Sequence, residues 1–187
     1  GMSAPKLAKP LAESDLTSVL GVISAAKVKG SAIAARDYVM VRGSYLIGCR
    51  VSELCRLRWQ DIERLDNGGQ IHLLGKGNKP RTIRVSVATL ELFESLGRGE
   101  PEDWLFPSDR REGPMTRQAV AARMARWGKE AGVRLYPHRC RHTHATNAVC
   151  AGTSLFVLQA TLGHSSSATT GHYAAANPED SSSLRLG

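Results

Sequence analysis

Most of the chain carries apolar positions at helical spacing. Leu16, Val19, Leu20 and Ile23 repeat with that period behind Ser14 or Asp15, either of which can cap a helix. Residues 33–47 carry a broader apolar pattern that stops near Gly48, and a second helix is predicted over Val51–Trp59. The period then changes. Gln70–Leu74 and Arg81–Val87 are short alternating or β-branched runs joined by Gly75-Lys76-Gly77-Asn78-Lys79-Pro80. They predict a β-hairpin with Lys76 in or beside its turn. Helical spacing returns over 88–97, and a loop is expected from Gly97 to Pro114. Thr116 can cap a helix in which Val120, Met124, Trp127 and Ala131 share one face, with Gly132 as its stop and Arg117, Arg123 and Arg126 off the apolar stripe. Two more helices are predicted, from about His138 to Ala151 and over 154–162, the last closing on a turn at Gly163-His164. The fold class expected is α+β: mostly helical, with one small antiparallel sheet of about three strands and a hairpin carrying Lys76.

Composition narrows the partners more than the fold. The 187 residues suit one domain, and 42% apolar residues are enough to build a core. Lys and Arg number 25 against 17 Asp and Glu, a net charge of +8, with a pI near 9.7. A domain this basic points to a polyanion, of which nucleic acid is the commonest. No uncharged apolar run approaches a membrane span, and no signal segment opens the sequence, so a cytoplasmic protein with no membrane partner is expected. Gly1 before Met2 reads as a scar of tag removal. Cys49, Cys55, Cys140 and Cys150 lack CxxC pairing and read as buried thiols. His138, His142 and His144 lie near Cys140, but their spacing is not that of a structural zinc site, and no metal is expected.

The charge is unevenly placed. Residues 76–84 hold Lys76, Lys79, Arg81 and Arg84 with no acid, and residues 110–141 hold nine basic residues against Glu112 and Glu130. From His142 to Pro178 there is no Lys, Arg, Asp or Glu, although His142, His144, His164, His172 and Tyr173 lie there. One basic block alone would be an ordinary solvated face; two blocks with this overall sign point to a phosphate backbone. Lys79, Arg81, Arg117 and Arg123 are the expected contacts to that backbone.

Taken singly, the reactive groups have plain explanations. Arg50 sits three before Glu53 at a helix start, a common place for a surface ion pair, and also one where a guanidinium held by the glutamate would add to free N–H groups as an anion site. Lys76 is a hairpin lysine. His138 and Arg141, three apart, share a helical face. Taken in order, the strings Gly48-Cys49-Arg50-Val51-Ser52-Glu53-Leu54, Leu57-Arg58-Trp59-Gln60-Asp61-Ile62, Gly75-Lys76-Gly77-Asn78-Lys79, Trp104-Leu105-Phe106-Pro107-Ser108, His138-Arg139-Cys140-Arg141-His142 and Leu162-Gly163-His164 through Tyr173 resemble the tyrosine recombinase (phage integrase) family over residues 33–175.

That resemblance implies the family's catalytic fold, with residues 1–32 as an N-terminal segment and 176–187 as a tail. It implies a catalytic set of Arg50, Lys76, His138, Arg141, His164 and Tyr173. Tyr173 would be the nucleophile, His138 would accept its proton, and Arg50, Arg141 and His164 would neutralise the phosphate oxygens. Lys76 would protonate the departing 5′ oxygen. The product would be a 3′-phosphotyrosyl link, needing neither metal nor ATP nor any other cofactor. Cys140 stands where leucine is usual, Gly171-His172 precede the tyrosine, and Ala175 replaces a frequent histidine; none of these removes a catalytic group. The partners implied are double-stranded DNA and other recombinase protomers in a tetrameric synapse. At most 32 residues precede the resemblance, too few for the family's usual DNA-clamping domain, so a fragment or a short form is expected. The tail, with Leu184 and Leu186, is expected either to dock on a neighbouring protomer or to fray. A type IB topoisomerase-like nicking-resealing enzyme and a DNA-binding remnant without strand exchange remain the alternatives.

Overall fold

The computed structural model describes residues 9–163 and 179–187. Helices α1 (Glu13–Val28), α2 (Ala32–Ile47) and α3 (Val51–Cys55) lead into strands β1 (Ile62–Leu65), β2 (Gly68–Leu74) and β3 (Pro80–Val85), and α4 (Val87–Glu94), α5 (Arg117–Ala131), α6 (Pro137–Cys150) and α7 (Leu155–Leu162) follow. The expected α+β architecture with one small antiparallel sheet is present. The sheet has the order β1-β2-β3, and Ile71 faces Ile62 on one side and Ile83 on the other. These isoleucines with Leu73 and Val85 are buried, and Leu90 and Phe93 of α4 join them in the core.

Local chemistry sets most helix ends. The Ser31, Thr116 and Ser154 side chains accept N–H groups in the first turns of α2, α5 and α7. Gly48 ends α2 in the left-handed region, at φ 63°, and returns its N–H to Ser44 O. A Cβ there would lie 2.7 Å from the His144 ring, so this glycine is required by packing as well as by φ.

Three segments depart from the expectation or add to it. The second helix, predicted to reach Trp59, stops at Cys55, and Trp59–Asp61 forms a 3₁₀ turn. The loop 97–114 accounts for this: Trp59 N–H donates to Asp103 O, Leu105 N–H donates to Leu57 O, and Asp61 caps the Arg58 N–H at 2.9 Å. Secondly, α1 belongs to the same core as the rest. Val19 and Ile23 are fully buried in it, and ahead of α1 the Leu11 N–H donates to Thr143 Oγ1 of α6 at 2.8 Å. Thirdly, residues 179–187 pack on their own chain. Ser182 is buried, its N–H donates to Thr161 Oγ1 and its Oγ lies 2.7 Å from His144 Nε2, while Leu186 packs against the Ala148–Leu158–Leu162 cluster. Cys49, Cys55 and Cys140 are buried, and burial pushes their thiols up to about 12, 11 and 12 respectively; Cys150 is exposed, against expectation. No helix among the described residues is long and apolar enough to cross a membrane.

Candidate active site

Arg50 occupies the N-cap position of α3, two residues after the left-handed Gly48. Glu53, one turn on, is buried, and its Oε1 accepts the Arg50 backbone N–H at 2.7 Å. The charge on Glu53 is matched elsewhere. Arg81 of β3 forks onto the carboxylate, Nη2 to Oε1 at 3.0 Å and Nη1 to Oε2, and its Nε donates to Thr161 O at 2.8 Å. Burial alone would raise the Glu53 carboxyl. The Arg81 hydrogen bond, the Arg50 N–H and the two positive charges outweigh it and hold the group below the ordinary carboxylate range. So the sequence-based idea that Glu53 holds the Arg50 guanidinium is corrected: Glu53 holds that residue's backbone and pairs with Arg81, leaving the Arg50 side chain to the cleft beside it.

Arg141 lies in the second turn of α6 and is buried. Its Nη1 donates to Gly48 O at 2.7 Å and its Nη2 to Leu162 O at 2.8 Å. One guanidinium therefore joins the turn before Arg50 to the end of α7. Burial lowers it to about 10, and repulsion from Arg50 and Arg81 acts in the same direction. A cation under this pressure is stabilised by any anion that approaches it.

Arg50, Lys76 and Arg117 line one open cleft of about 830 Å³, with Ser52, Arg56, Arg111 and Thr116. Lys76 is exposed in a 3₁₀ turn between β2 and β3, where Gly77 and Asn78 adopt positive φ. His138 is exposed at the second position of α6, behind Pro137 at the first. His164 and Tyr173 lie outside the described residues.

A model of the family described as "Phage integrase family" matches residues 11–180. The chain belongs to the phage integrase family. Among its relatives, the tyrosine recombinase XerD of Pseudomonas putida is 36% identical over 179 residues, covering 90% of this chain and 59% of the relative. The tyrosine recombinase XerC of Haemophilus ducreyi is 32% identical over 179 residues, covering 92% and 58%. The XerH site-specific recombinase, solved bound to palindromic difH substrate as a post-cleavage complex, superposes with a TM-score of 0.71 at 25% identity, over 91% of this chain and 50% of that one. This integrase-family chain thus spans less than two thirds of the length of these relatives.

Of the four expected DNA contacts, two have guanidinium groups bound to partners within the protein. Arg81 is engaged by Glu53 and Thr161. Arg123 donates its Nε to Asp37 Oδ2 at 2.7 Å, beside the Trp127 indole N–H on the same oxygen at 2.8 Å, and Arg36 holds the other carboxylate oxygen. Asp37 is fully buried and needs these donors, so Arg123 ties α2 to α5. Lys79 and Arg117 are exposed, as a phosphate contact requires. Arg56 and Arg111 also line the cleft, and the sequence motifs do not point to them. Arg111 stands in the basic block 110–141, the one signal that could have found it; Arg56 lies just past the short α3, in a segment whose true end only the fold shows.

Proposed function

We propose that this chain is the catalytic part of a site-specific DNA recombinase that cuts and rejoins strands through a 3′-phosphotyrosyl intermediate. The observation that carries the reading is the cleft that Arg50 and Lys76 line together, with the buried Arg141 bound to Gly48 O, two residues before Arg50. A scissile phosphate there would receive forked, charge-assisted bonds. Tyr173 Oη would attack phosphorus, forming the new P–O bond as the P–O5′ bond breaks. His138 would take the phenol proton, Lys76 would supply one to the leaving 5′ oxygen, and His164 would add a donor to the phosphate. The bond energy is kept in the phosphotyrosyl link, so a 5′-hydroxyl of another strand can reverse the step. Duplex DNA and further protomers are the proposed partners, with the chain acting in the cytosol. Support for DNA comes from the net charge, the cleft and the similarity to XerH bound to difH.

The test is a nicked suicide duplex, which traps the covalent adduct by letting the short leaving strand diffuse away. Wild-type protein should give a denaturant-resistant band. Tyr173→Phe, which deletes one oxygen and keeps the ring, should bind the duplex and give none. An equal band from the variant would remove Tyr173 as nucleophile, and binding without any wild-type adduct would favour the DNA-binding remnant.

A further inference from the structure

Arg81 stands on β3 at the foot of the Lys76 hairpin, and its side chain, 12% exposed, meets three separate segments. It forks onto Glu53, whose Oε1 also takes the Arg50 N–H. Its Nε binds the carbonyl of Thr161, in the last turn of α7. Its guanidinium also fills the space beside two glycines. A Cβ on Gly163 would lie 2.9 Å from Nη1 and 3.0 Å from Cζ, and one on Gly75 would lie 3.4 Å from Nη1. Gly163 immediately precedes His164, and Gly75 immediately precedes Lys76. One planar group thus touches the helix start that presents Arg50, the turn that presents Lys76 and the helix end that leads to His164.

Three donors in fixed geometry are used at once, two on a carboxylate and one on a carbonyl. A lysine has one nitrogen and cannot span both acceptors. Arg141 binds the adjacent carbonyl, Leu162 O, so the last two carbonyls of α7 are taken by two guanidinium groups. We propose that Arg81 is a positioning residue of the recombinase reaction, fixing Arg50, Lys76 and the Gly163 end of α7 relative to one another without touching DNA. This rests on the recombinase reading above. A displacement of about 1 Å between such groups is enough to cost about 100-fold in rate.

The experiment compares wild type with Arg81→Lys and Arg81→Met, each first shown to unfold cooperatively. Single-turnover adduct formation on the suicide duplex is measured at saturating DNA, and duplex affinity separately. The expected result is duplex affinity within about threefold of wild type for both variants, with cleavage slowed about 100-fold in Arg81→Met and only partly restored in Arg81→Lys. Cleavage by Arg81→Met within threefold of wild type, or a loss that follows affinity alone, would overturn the proposal. Amide hydrogen exchange tests the positioning role without relying on activity. The Arg50 and Gly163 amides should exchange at least tenfold faster in Arg81→Met while those of Val39–Val41 are unchanged. If wild type forms no adduct, the recombinase reading fails, and unchanged exchange at Arg50 and Gly163 would independently sink the positioning role.

Discussion

His144 offers a direct test of how α6 is anchored, through the pH dependence of stability. Its ring is fully buried between α2 and the 179–187 segment. Nδ1 lies 2.7 Å from Tyr45 O, which can only accept, so Nδ1 carries the proton; Nε2 then accepts from Ser182 Oγ at 2.7 Å. Both nitrogens are satisfied in the neutral form, and a second proton would place a charge in this buried site. Burial lowers the imidazole from 6.5 to about 4, the Tyr45 carbonyl opposes that shift, and the Arg141 charge adds to it. The group therefore binds protons more readily in the unfolded chain than in the folded one between those values. Its stabilisation is complete above pH 6.5 and is lost progressively as pH falls towards 4. Integrating the two titrations gives a loss of about 2 kcal/mol between pH 7 and pH 5, and about 3 kcal/mol in full. Carboxylates and other histidines titrate over the same range, so the measurement is a difference. Urea unfolding of wild type and His144→Gln should be compared at several pH values from 7.5 to 5. Glutamine keeps a donor and an acceptor but does not titrate. The variant should be less stable at pH 7 and lose about 2 kcal/mol less than wild type on acidification to pH 5. Parallel curves for the two proteins would refute the neutral, doubly bonded ring.

Two further outcomes are expected alongside those given for Tyr173 and Arg81. Asp37→Ala strips a fully buried carboxylate from Arg123, Arg36 and the Trp127 indole, and should cost about 3 kcal/mol in urea unfolding, because breaking a buried pair leaves its partners uncompensated; a loss under 1 kcal/mol would show that the network is solvated. Arg111→Gln combined with Arg117→Gln should flatten the slope of log affinity for duplex DNA against log salt by about two, since each phosphate contact contributes about 0.9. An unchanged slope would take these two arginines out of the DNA path.

Much of this protein is local, and local features are legible in a sequence. The Val120, Met124, Trp127 and Ala131 stripe, the Thr116 cap and the Gly132 stop define α5 without reference to anything distant, because capping and helical period act within a turn or two. Gly48 before Arg50 and the Gly75–Pro80 turn are of the same kind, and they deliver Arg50 and Lys76 to the cleft. Partner choice is different. Arg81, Arg117 and Arg123 look alike along the chain, as members of the two basic blocks, yet Arg117 faces the cleft while the other two neutralise buried carboxylates 28 and 86 residues away. Which arginine a buried Glu53 or Asp37 captures depends on what the fold brings within hydrogen-bonding distance, and burying either carboxylate unpaired would cost more than the chain's local preferences can offset. The same reason shortens the second helix. Leu57 and Trp59 have backbone groups that loop 97–114 satisfies, and a partner more than 40 residues away leaves no mark on the helical period.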